Sequence, residues 1–297
     1  MTQTSDGGYI IGAHQNTIIK TDSTGLLEWD YKLSYGYTYY VEEVIQTFAG
    51  DYIVVGGIGG DPGTGGHAQR GQAFILRMSE GGGVQWVKRY GILNTPDDSF
   101  WGVVQADDGG FVLGGAKLQD RNFEFYDHFW IMKTDESGNE VWSHELGGTL
   151  WDEATSIVRL SDDSYILAGK KSLSSTNLNM FIVRVASDGT ILWQNDHGSG
   201  NYDTGLSLTL SGNESMITVV GYTRSNSSNP FDYRIWGVDV ASGQILWNTI
   251  HGGNQDDKAS GVVEAYDNGF AIVGRSYSYG NPYATWLVKT DQIGEIE

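Results

Sequence analysis

The sequence contains no cysteine, which excludes disulfide bonds and thiolate metal sites. Proline occurs only four times, against 42 glycines in 297 residues. No apolar run approaches the ~20 residues that a membrane-spanning helix needs, and no stretch has the periodicity of a long amphipathic helix. Many glycines, few prolines and many aromatic residues are typical of short strands that are joined by tight turns.

Positive charge is also scarce. Lys and Arg number 18 and Asp and Glu 37, which gives a formal net charge of −19. An acidic surface repels phosphate backbones and anionic lipids, so we expect no nucleic-acid partner and no membrane insertion. The first residues, MTQTSDGGYI, are neither basic nor apolar, so we expect no signal peptide among them, although one could have been removed.

One sequence unit recurs along the whole chain. A turn-forming stretch followed by an apolar run occurs six times, as DGGYIIGA (6–13), GDYIVVGGI (50–58), DDGGFVLGGA (107–116), DDSYILAGK (162–170), NESMITVVGY (213–222) and DNGFAIVGR (267–275). A tryptophan follows the first five, at Trp29, Trp86, Trp142, Trp193 and Trp247, with separations of 57, 56, 51 and 54 residues. Repeats of this length predict a propeller, a solenoid or an array.

Each copy is predicted to contain four strands. In the fourth copy they are DEATSIVRL, SYILAG, MFIVRVA and TILWQNDH. The Asp-Gly and Asn-Gly turns between the first and second strands predict two-residue hairpins with positive φ. The second and third strands are almost wholly apolar, which predicts central strands that are covered on both faces.

Six copies of four antiparallel strands predict an all-β fold, a six-bladed β-propeller in one domain over 1–297. The blades are expected at approximately 1–34, 35–91, 92–147, 148–198, 199–252 and 253–297. Each twisted sheet would bury its faces against its neighbours, and the recurring tryptophan would form the core between blades. A linear β-solenoid is the alternative architecture.

The recurring pattern resembles a known type of repeat. The motif D-x-A-x-S-[IV]-V-x-x-x-D-G-G-[YF]-[IV]-x-x-G, followed by [WF]-[IL]-[VM]-[KR]-x-D-x-x-G-x-x-x-W, is similar to the β-propeller repeats of many exported bacterial and archaeal proteins. It is more distantly similar to the PQQ-like propeller repeat. The resemblance covers essentially the whole chain, and it implies an extracellular or cell-surface location. It implies no particular function, because such propellers have unrelated roles.

The two ends of the repeat do not match. By comparison with a full repeat, about 15 residues are missing between the last residue of the chain and the first if the copies close into a ring. We therefore expect adjacent termini, a first blade that lacks part of its inner strand and a sixth blade that lacks part of its outer strand. Either the sequence is a piece of a longer protein with further domains, which we expect, or the ring closes with a depleted seam.

The loops between second and third strands vary most and would share one face of a propeller with the loops between blades. Variable loops on a rigid scaffold are common binding surfaces. The candidates for contact with a ligand are residues of these loops, namely Arg121, Phe123, Phe125, Tyr126, Tyr233, Tyr277, Tyr279 and Tyr283. The alternative is that these loops only pack on one another.

A column of aspartates recurs 13 or 14 residues before the second strand, at Asp98, Asp152, Asp203 and Asp257, while the second copy has Tyr39 there. Either each carboxylate accepts backbone N–H groups and fixes a loop, or together they bind a ligand or a cation such as Ca²⁺ at the channel mouth. No Asp-x-Asp-x-Asp-Gly loop is present, and we expect no cofactor and no metal site.

No catalytic motif is recognisable. Gly-x-Ser-x-Gly and Gly-Lys-Ser/Thr are absent. His197 and His251 stand four residues after their tryptophans, where Leu33, Tyr90 and Leu146 stand in other copies, which favours packing over metal binding.

These observations lead to three functional hypotheses. The first is a non-enzymatic scaffold that recognises a protein or a glycan through the face with the long loops. The second is a glycan lyase or hydrolase that uses two carboxylates, either from the aspartate column or Glu124 and Asp127. The third is a structural spacer in a surface layer or adhesin.

Overall fold

The computed structural model describes residues 1–13, 16–33, 38–59, 71–91, 98–121, 124–148, 150–224, 230–280 and 283–296. These residues form strands and turns, and they contain no helix that is long and apolar enough to cross a membrane. They divide into two compact units, Met1–Leu146 and Gly147–Glu297. This division lies within one residue of the predicted end of the third copy, so each unit contains three copies of the repeat.

The first unit contains a four-stranded and an eight-stranded sheet. The four-stranded sheet has the order β1-β2-β3-β4 and consists of β1 (Thr2–Gln3), β2 (Tyr9–Ala13), β3 (Thr17–Thr21) and β4 (Leu27–Lys32). The eight-stranded sheet consists of β5 (Thr38–Gln46), β6 (Tyr52–Gly59), β7 (Gln72–Met78), β8 (Val84–Tyr90), β9 (Ser99–Gln105), β10 (Phe111–Arg121), β11 (Glu124–Thr134) and β12 (Glu140–Leu146).

The second unit contains an eight-stranded and a three-stranded sheet. The larger one consists of β13 (Glu153–Arg159), β14 (Tyr165–Ser174), β15 (Asn177–Val185), β16 (Ile191–His197), β17 (Tyr202–Leu210), β18 (Met216–Arg224), β19 (Asp232–Asp239) and β20 (Ile245–His251). The smaller one has the order β21-β22-β23, with β21 (Asp257–Glu264), β22 (Phe270–Ser276) and β23 (Ala284–Thr290).

The predicted repeat is visible as an antiparallel meander, but the described residues form two sheets of eight strands, one of four and one of three, and not six separate four-stranded sheets. Two meanders are joined in each eight-stranded sheet through one residue pair, Gly57–Ser99 in the first unit and Leu178–Tyr202 in the second. The first strand of the first copy spans only two residues, and the last copy has three strands.

The central strands are buried on both faces, because alternate residues of one strand belong to two different cores. Tyr52 and Val54 of β6 pack in a core with β2, β3 and β7. Ile53 and Val55 of the same strand pack in a second core with Phe100 and other residues of β9 to β11. The second unit has equivalent cores between its consecutive copies. Each meander is therefore shielded by its neighbours rather than by its own two faces.

The turns between the first and second strands differ from the prediction. In the first copy Gly7 N donates to Thr4 O and Thr4 N donates to Gly8 O, both at 2.9 Å, which closes a three-residue loop. One residue in each of the six turns has positive φ, between +54° and +92°: Gly7, Gly50, Gly109, Asp163, Glu214 and Asn268. A two-residue type I′ hairpin needs two such residues, so the predicted turn type is wrong.

The recurring tryptophan lies on a glycine of the next copy. The third-to-fourth-strand turns contain a glycine with φ between +69° and +91°. A Cβ atom at Gly82 would lie 3.0 Å from the Trp29 ring, and one at Gly243 would lie 2.6 Å from the Trp193 ring. Gly138 meets Trp86 and Gly294 meets Trp247 in the same way. We call this contact the Trp–Gly latch.

Polar side chains next to the tryptophan complete the latch. Trp193 Nε1 donates to Val240 O at 3.1 Å. His197 Nε2 donates to Gly243 O at 3.0 Å, and His251 Nε2 donates to Gly294 O at 2.7 Å. The hydroxyl of Tyr90, which stands in the same column, bonds to the carbonyl of the latch glycine Gly138. These histidines therefore join consecutive copies, as their packing interpretation predicted.

A second recurring contact holds each copy together internally. A cation of the third strand pairs with the carboxylate of the first turn of its own copy, at 2.7 to 3.0 Å, in five pairs: Lys20–Asp6, Arg77–Asp51, Lys133–Asp108, Arg184–Asp162 and Lys289–Asp267. The hydrogen bond from Lys20 is the main reason why the pKa of Asp6 is well below its usual value. The cation of the [KR]-x-D element thus has a structural partner within its own copy.

We expect Gly138→Ala to destabilise the first unit more than Gly25→Ala. Both glycines have positive φ in equivalent turns, but a Cβ at Gly138 would lie 2.8 Å from Lys88 Cγ and 3.0 Å from the Trp86 ring, whereas Gly25 has nothing within 4 Å. Backbone strain alone costs about 1 kcal/mol, so Gly25→Ala is the matched control. Urea unfolding should show an additional loss of about 1–2 kcal/mol for Gly138→Ala. Equal losses would show that the latch contributes nothing.

Candidate functional site

The four aspartates of the predicted column lie where the first strand of each copy begins. Asp98, Asp152, Asp203 and Asp257 are at most 3% exposed. A buried carboxylate is stable only when its oxygens accept hydrogen bonds, so the partners of these residues indicate what they do.

The partners belong to the surrounding loops. Asp152 accepts the backbone N–H of Gly148 and that of Ser172, both at 2.6 Å. Asp98 accepts the N–H of Leu118, Asp203 accepts the N–H of Ser199 and the Thr223 hydroxyl, and Asp257 accepts the N–H groups of Gly253 and Ser278. Asp152, Asp203 and Asp257 each bond both to the loop before their own first strand and to residues at the end of the second strand. For Asp98 the bond is to the second strand. This geometry favours the loop-fixing alternative.

The second copy has a tyrosine, Tyr39, at the position of the column aspartate. Tyr39 is fully buried, its ring packs edge-on against Phe74 at 5.2 Å, and its hydroxyl accepts a hydrogen bond from Arg89 at 2.8 Å. Among the described residues no group of three or more His, Asp or Glu side chains is arranged to hold a metal ion.

The predicted loop residues of the third copy are only partly described. Phe123 lies outside the described residues, and so do the side chains of Arg121, Glu124 and Phe125. Tyr126 lies on β11, where it pairs with Gln119 of β10, and it is partly buried.

The predicted aromatic residues of the fifth and sixth copies are better defined. Tyr233 is fully buried and its hydroxyl donates to Trp286 O at 3.1 Å, so its ring belongs to the core. Tyr277 is half-buried with its ring 5.8 Å from that of Tyr283, while Tyr279 and Tyr283 are 56% and 62% exposed. The sixth copy therefore presents accessible tyrosines at its loop end.

A cavity of about 520 Å³ opens in the second unit beside this loop end. Residues from the start of β21, the end of β22 and the start of β23 line it, together with residues of β17 and β18. The lining includes Leu206, Tyr222, Lys258, Val273, Arg275 and Thr285. Its size is within the range of small-ligand sites.

Cationic and aromatic side chains are interleaved at this cavity. Lys258 Nζ lies 4.8 Å from the centroid of the Tyr222 ring and 4.0 Å from that of Phe231. The guanidinium carbon of Arg224 lies 3.8 Å from the centroid of the Phe231 ring. All three distances are those of cation–π contacts, and the Phe231 ring therefore contacts two cations.

The electrostatics of this end of the unit are unusual for so acidic a chain. Burial lowers the pKa of Lys258, Asp256 opposes this effect, and the charges of Arg275 and Arg224 lower it further. Burial also raises the pKa of Asp232, with contributions from Asp257 and Asp256.

A second cavity, of about 350 Å³, lies along the outer strand β16. Its polar groups already bond to one another or to backbone. Lys171 pairs with Asp196 at 3.2 Å, and Asn195 donates to Ser242 O at 3.1 Å. The cavity at the loop end of β21 to β23 is therefore the better candidate site.

Arg224, Lys258 and Arg275 are not among the site residues predicted from the sequence. The three residues are far apart along the chain and form no motif. One signal was present, however: the residue after the column aspartate is Ser99, Glu153 or Thr204 in other copies, and a cation only in the sixth.

No protein-family model matches the chain, and no curated protein matches it in sequence. Solved structures do resemble it. A polysaccharide lyase, an ulvan lyase bound to -[GlcA(1-4)Rha3S]-, has a TM-score of 0.62 at 10% identity, over 98% of this chain and 78% of that one. A protein of unknown function from Bacteroides caccae has a TM-score of 0.55 at 14% identity, over 97% of this chain and 90% of that one.

A quinohemoprotein alcohol dehydrogenase from Pseudomonas putida HK5 is also similar, with a TM-score of 0.55 at 9% identity. The match covers 98% of this chain but only 57% of the dehydrogenase. Identities this low establish the fold alone. The chain is an all-β protein of antiparallel sheets with propeller-like structural relatives, which agrees with the distant PQQ-like resemblance of the repeat.

We expect Asp152→Ala to destabilise the second unit by about 2–3 kcal/mol, because it removes the acceptor of the buried Ser172 N–H and of the partly buried Gly148 N–H. Asp188→Ala is the control, since this exposed carboxylate accepts its hydrogen bonds from within its own turn, and it should cost less than about 1 kcal/mol. Thermal unfolding measures both.

The same experiment distinguishes the two interpretations of the column. Chelation with EDTA should leave the unfolding midpoint unchanged if the aspartates only fix loops. A midpoint that rises with added Ca²⁺, and no longer does so in Asp152→Ala, would favour the cation-binding interpretation.

Proposed function

We propose that this chain is a carbohydrate-binding protein and that its ligand occupies the cavity at the loop end of β21 to β23. The observation that supports this proposal most directly is the cavity itself, which combines a volume of about 520 Å³ with Tyr222, Lys258 and Arg275 in its wall. Most small-ligand sites are concave, with aromatic walls and a few polar groups that orient the ligand.

The tyrosines beside the cavity extend this argument. Tyr283 is 62% exposed and immediately precedes β23, whose second residue is the cavity residue Thr285. Exposed aromatic faces next to a cavity can stack on the apolar face of a sugar ring, which costs little conformational entropy because the ring is rigid. A concave site favours a glycan over the protein partner that the sequence left open.

A glycan lyase is the second candidate, and two observations favour it. One of the structural relatives is a polysaccharide lyase. In addition, the lowered pKa of Lys258 would make this amine a better base than an ordinary lysine. Lyase chemistry removes the proton α to a uronate carboxylate, breaks the C–O bond to the leaving sugar and forms a C=C bond, while the leaving oxygen takes up a proton.

The column aspartates are weaker candidates for this chemistry. Their oxygens are buried and bonded to groups of their own chain. Incubation with a uronate-containing glycan would distinguish lyase from binding protein, because a lyase accumulates a conjugated unsaturated product that absorbs ultraviolet light.

We propose further that the six copies are six blades of one β-propeller. The six sequence markers, the recurring meander and latch within each unit, and the propeller-like relatives support this arrangement. A glycan ligand would also fit the extracellular or cell-surface location and the further domains that were expected from the repeat. The proposal includes no nucleic-acid partner and no cofactor. A purely structural spacer would be expected to have no ligand-sized cavity.

Binding should depend on Tyr283. We expect a glycan array to identify a ligand, and Tyr283→Ala to weaken its binding about two- to tenfold through the loss of one stacking contact. Tyr266→Ala is the control, because this fully exposed tyrosine lies in the turn at the opposite end of the same sheet. Isothermal titration calorimetry measures both affinities. Equal losses in the two variants, or no glycan ligand at all, would contradict the proposal.

The ring can be tested with spin labels, because the chain has no native cysteine. Cysteines at Thr24 and Ile293 label equivalent exposed turns of the first and sixth copies, and Gly81 and Asp188 label those of the second and fourth. In a ring of six blades the 24–293 distance should be close to the 24–81 distance and shorter than the 24–188 distance. A 24–293 distance that is the longest of the three would indicate a linear array.

A further inference from the structure

The sixth copy places two cations directly opposite each other. Lys258 of β21 pairs with Arg275 of β22 in the antiparallel register, and both residues line the cavity. Residues opposite each other on antiparallel strands have side chains in contact range, and like charges in such a pair are destabilising.

The equivalent pairs of the other copies contain no such repulsion. In the fourth copy the pair is Glu153 and Lys170, which form an ion pair at 2.9 Å. In the fifth copy it is Thr204 and Tyr222. The scaffold therefore does not require two cations here.

A third cation strengthens the local positive charge. Arg224 also contacts the Phe231 ring, and it is close enough to Lys258 to lower the pKa of its amine, as Arg275 also does. Among the described residues the nearest ion-pair partner of Lys258 is Asp256, at 3.9 Å, and Arg224 and Arg275 form no ion pair. Within the described part of the chain, Lys258, Arg224 and Arg275 thus form a single ion pair, that of Lys258 with Asp256, in a chain with a net charge of −19.

We propose that the ligand of this cavity is an anionic sugar, whose carboxylate or sulfate ester is bound by Lys258 and Arg275 with Arg224 behind them. This inference rests on the proposed carbohydrate-binding function and specifies its ligand class. An anionic group relieves the repulsion between the two opposed cations, and a neutral sugar does not. Guanidinium groups bind planar carboxylates and sulfate oxygens through two parallel hydrogen bonds.

The experiment compares ligands that share a backbone and differ only in charge. Oligogalacturonate is compared with its methyl ester, and a sulfated dextran oligosaccharide with unsulfated dextran. We expect the charged member of at least one pair to bind at least about tenfold more tightly, because charge-assisted hydrogen bonds are lost in the neutral member. Its affinity should also fall as the salt concentration rises. The pair that shows the difference identifies the anionic group.

Variants test the residues. Arg275→Glu recreates the opposite-charge pair of the fourth copy, so it should abolish binding of the charged oligosaccharide without lowering the thermal unfolding midpoint. Arg275→Lys keeps the charge and should retain most of the affinity. Arg275→Gln should reduce affinity about tenfold, and it keeps the test valid if Arg275→Glu unfolds. Lys32→Gln removes one exposed cation from the first unit and should leave the affinity unchanged.

Each result has a definite meaning. Charged and neutral members that bind equally well would overturn the anionic-sugar inference and leave the carbohydrate-binding proposal standing. Absence of binding by all four oligosaccharides would overturn the anionic-sugar inference, and a glycan array without any ligand would overturn both proposals. A loss of affinity in Lys32→Gln as large as that in Arg275→Gln would show that only the overall charge matters, and would overturn the assignment to this pair.

Discussion

The Trp–Gly latch is the contact on which the rest of this structure depends. A glycine with positive φ has no side chain above its turn, so the tryptophan ring of the preceding copy can lie directly against the backbone. The ring supplies a large apolar area, and its neighbours Tyr90, His197 and His251 bond to the carbonyl of that glycine. The latch thereby sets where one meander meets the next, and the shared cores follow from that placement.

The same frame explains how a uniform scaffold can have one distinctive site. Positions that maintain the repeat have similar chemistry in every copy, as the buried aspartates and the Lys or Arg pairs with turn carboxylates show. Positions that face the cavity are free to change. One such pair of positions holds Glu153 and Lys170 in the fourth copy, which attract each other. In the sixth copy the equivalent positions hold Lys258 and Arg275, which repel each other. Binding specificity then comes from residues that depart from the repeat.

Much of the local structure could be predicted from the sequence. The apolar second and third strands became the buried strands β6, β7, β14 and β15. The positive φ falls on Gly, Asn or Asp in five of the six first turns, and on Glu214 in the fifth copy. The turn type was wrong because an Asp-Gly pair suits both a two-residue loop and a three-residue loop, and the neighbouring strands decide between them. Tyr233 was expected on the surface but is in the core. The strand β19 already begins at Asp232, so Tyr233 belongs to that strand and not to the variable loop before it.

The sequence by itself determined the repeat, the strand pattern and the recurring aspartates, because those depend on residue preferences within a few neighbours along the chain. Only the tertiary structure decided the candidate site. Lys258 and Arg275 oppose each other because of the strand register, which shifts at a bulge between Ala259 and Gly261, and a slip of one residue would turn the side chains to the other face. Arg224 reaches them because the fifth and sixth copies share a core. Neither the register nor that packing is encoded at short range, so three cations that are scattered along an acidic chain meet only after it has folded.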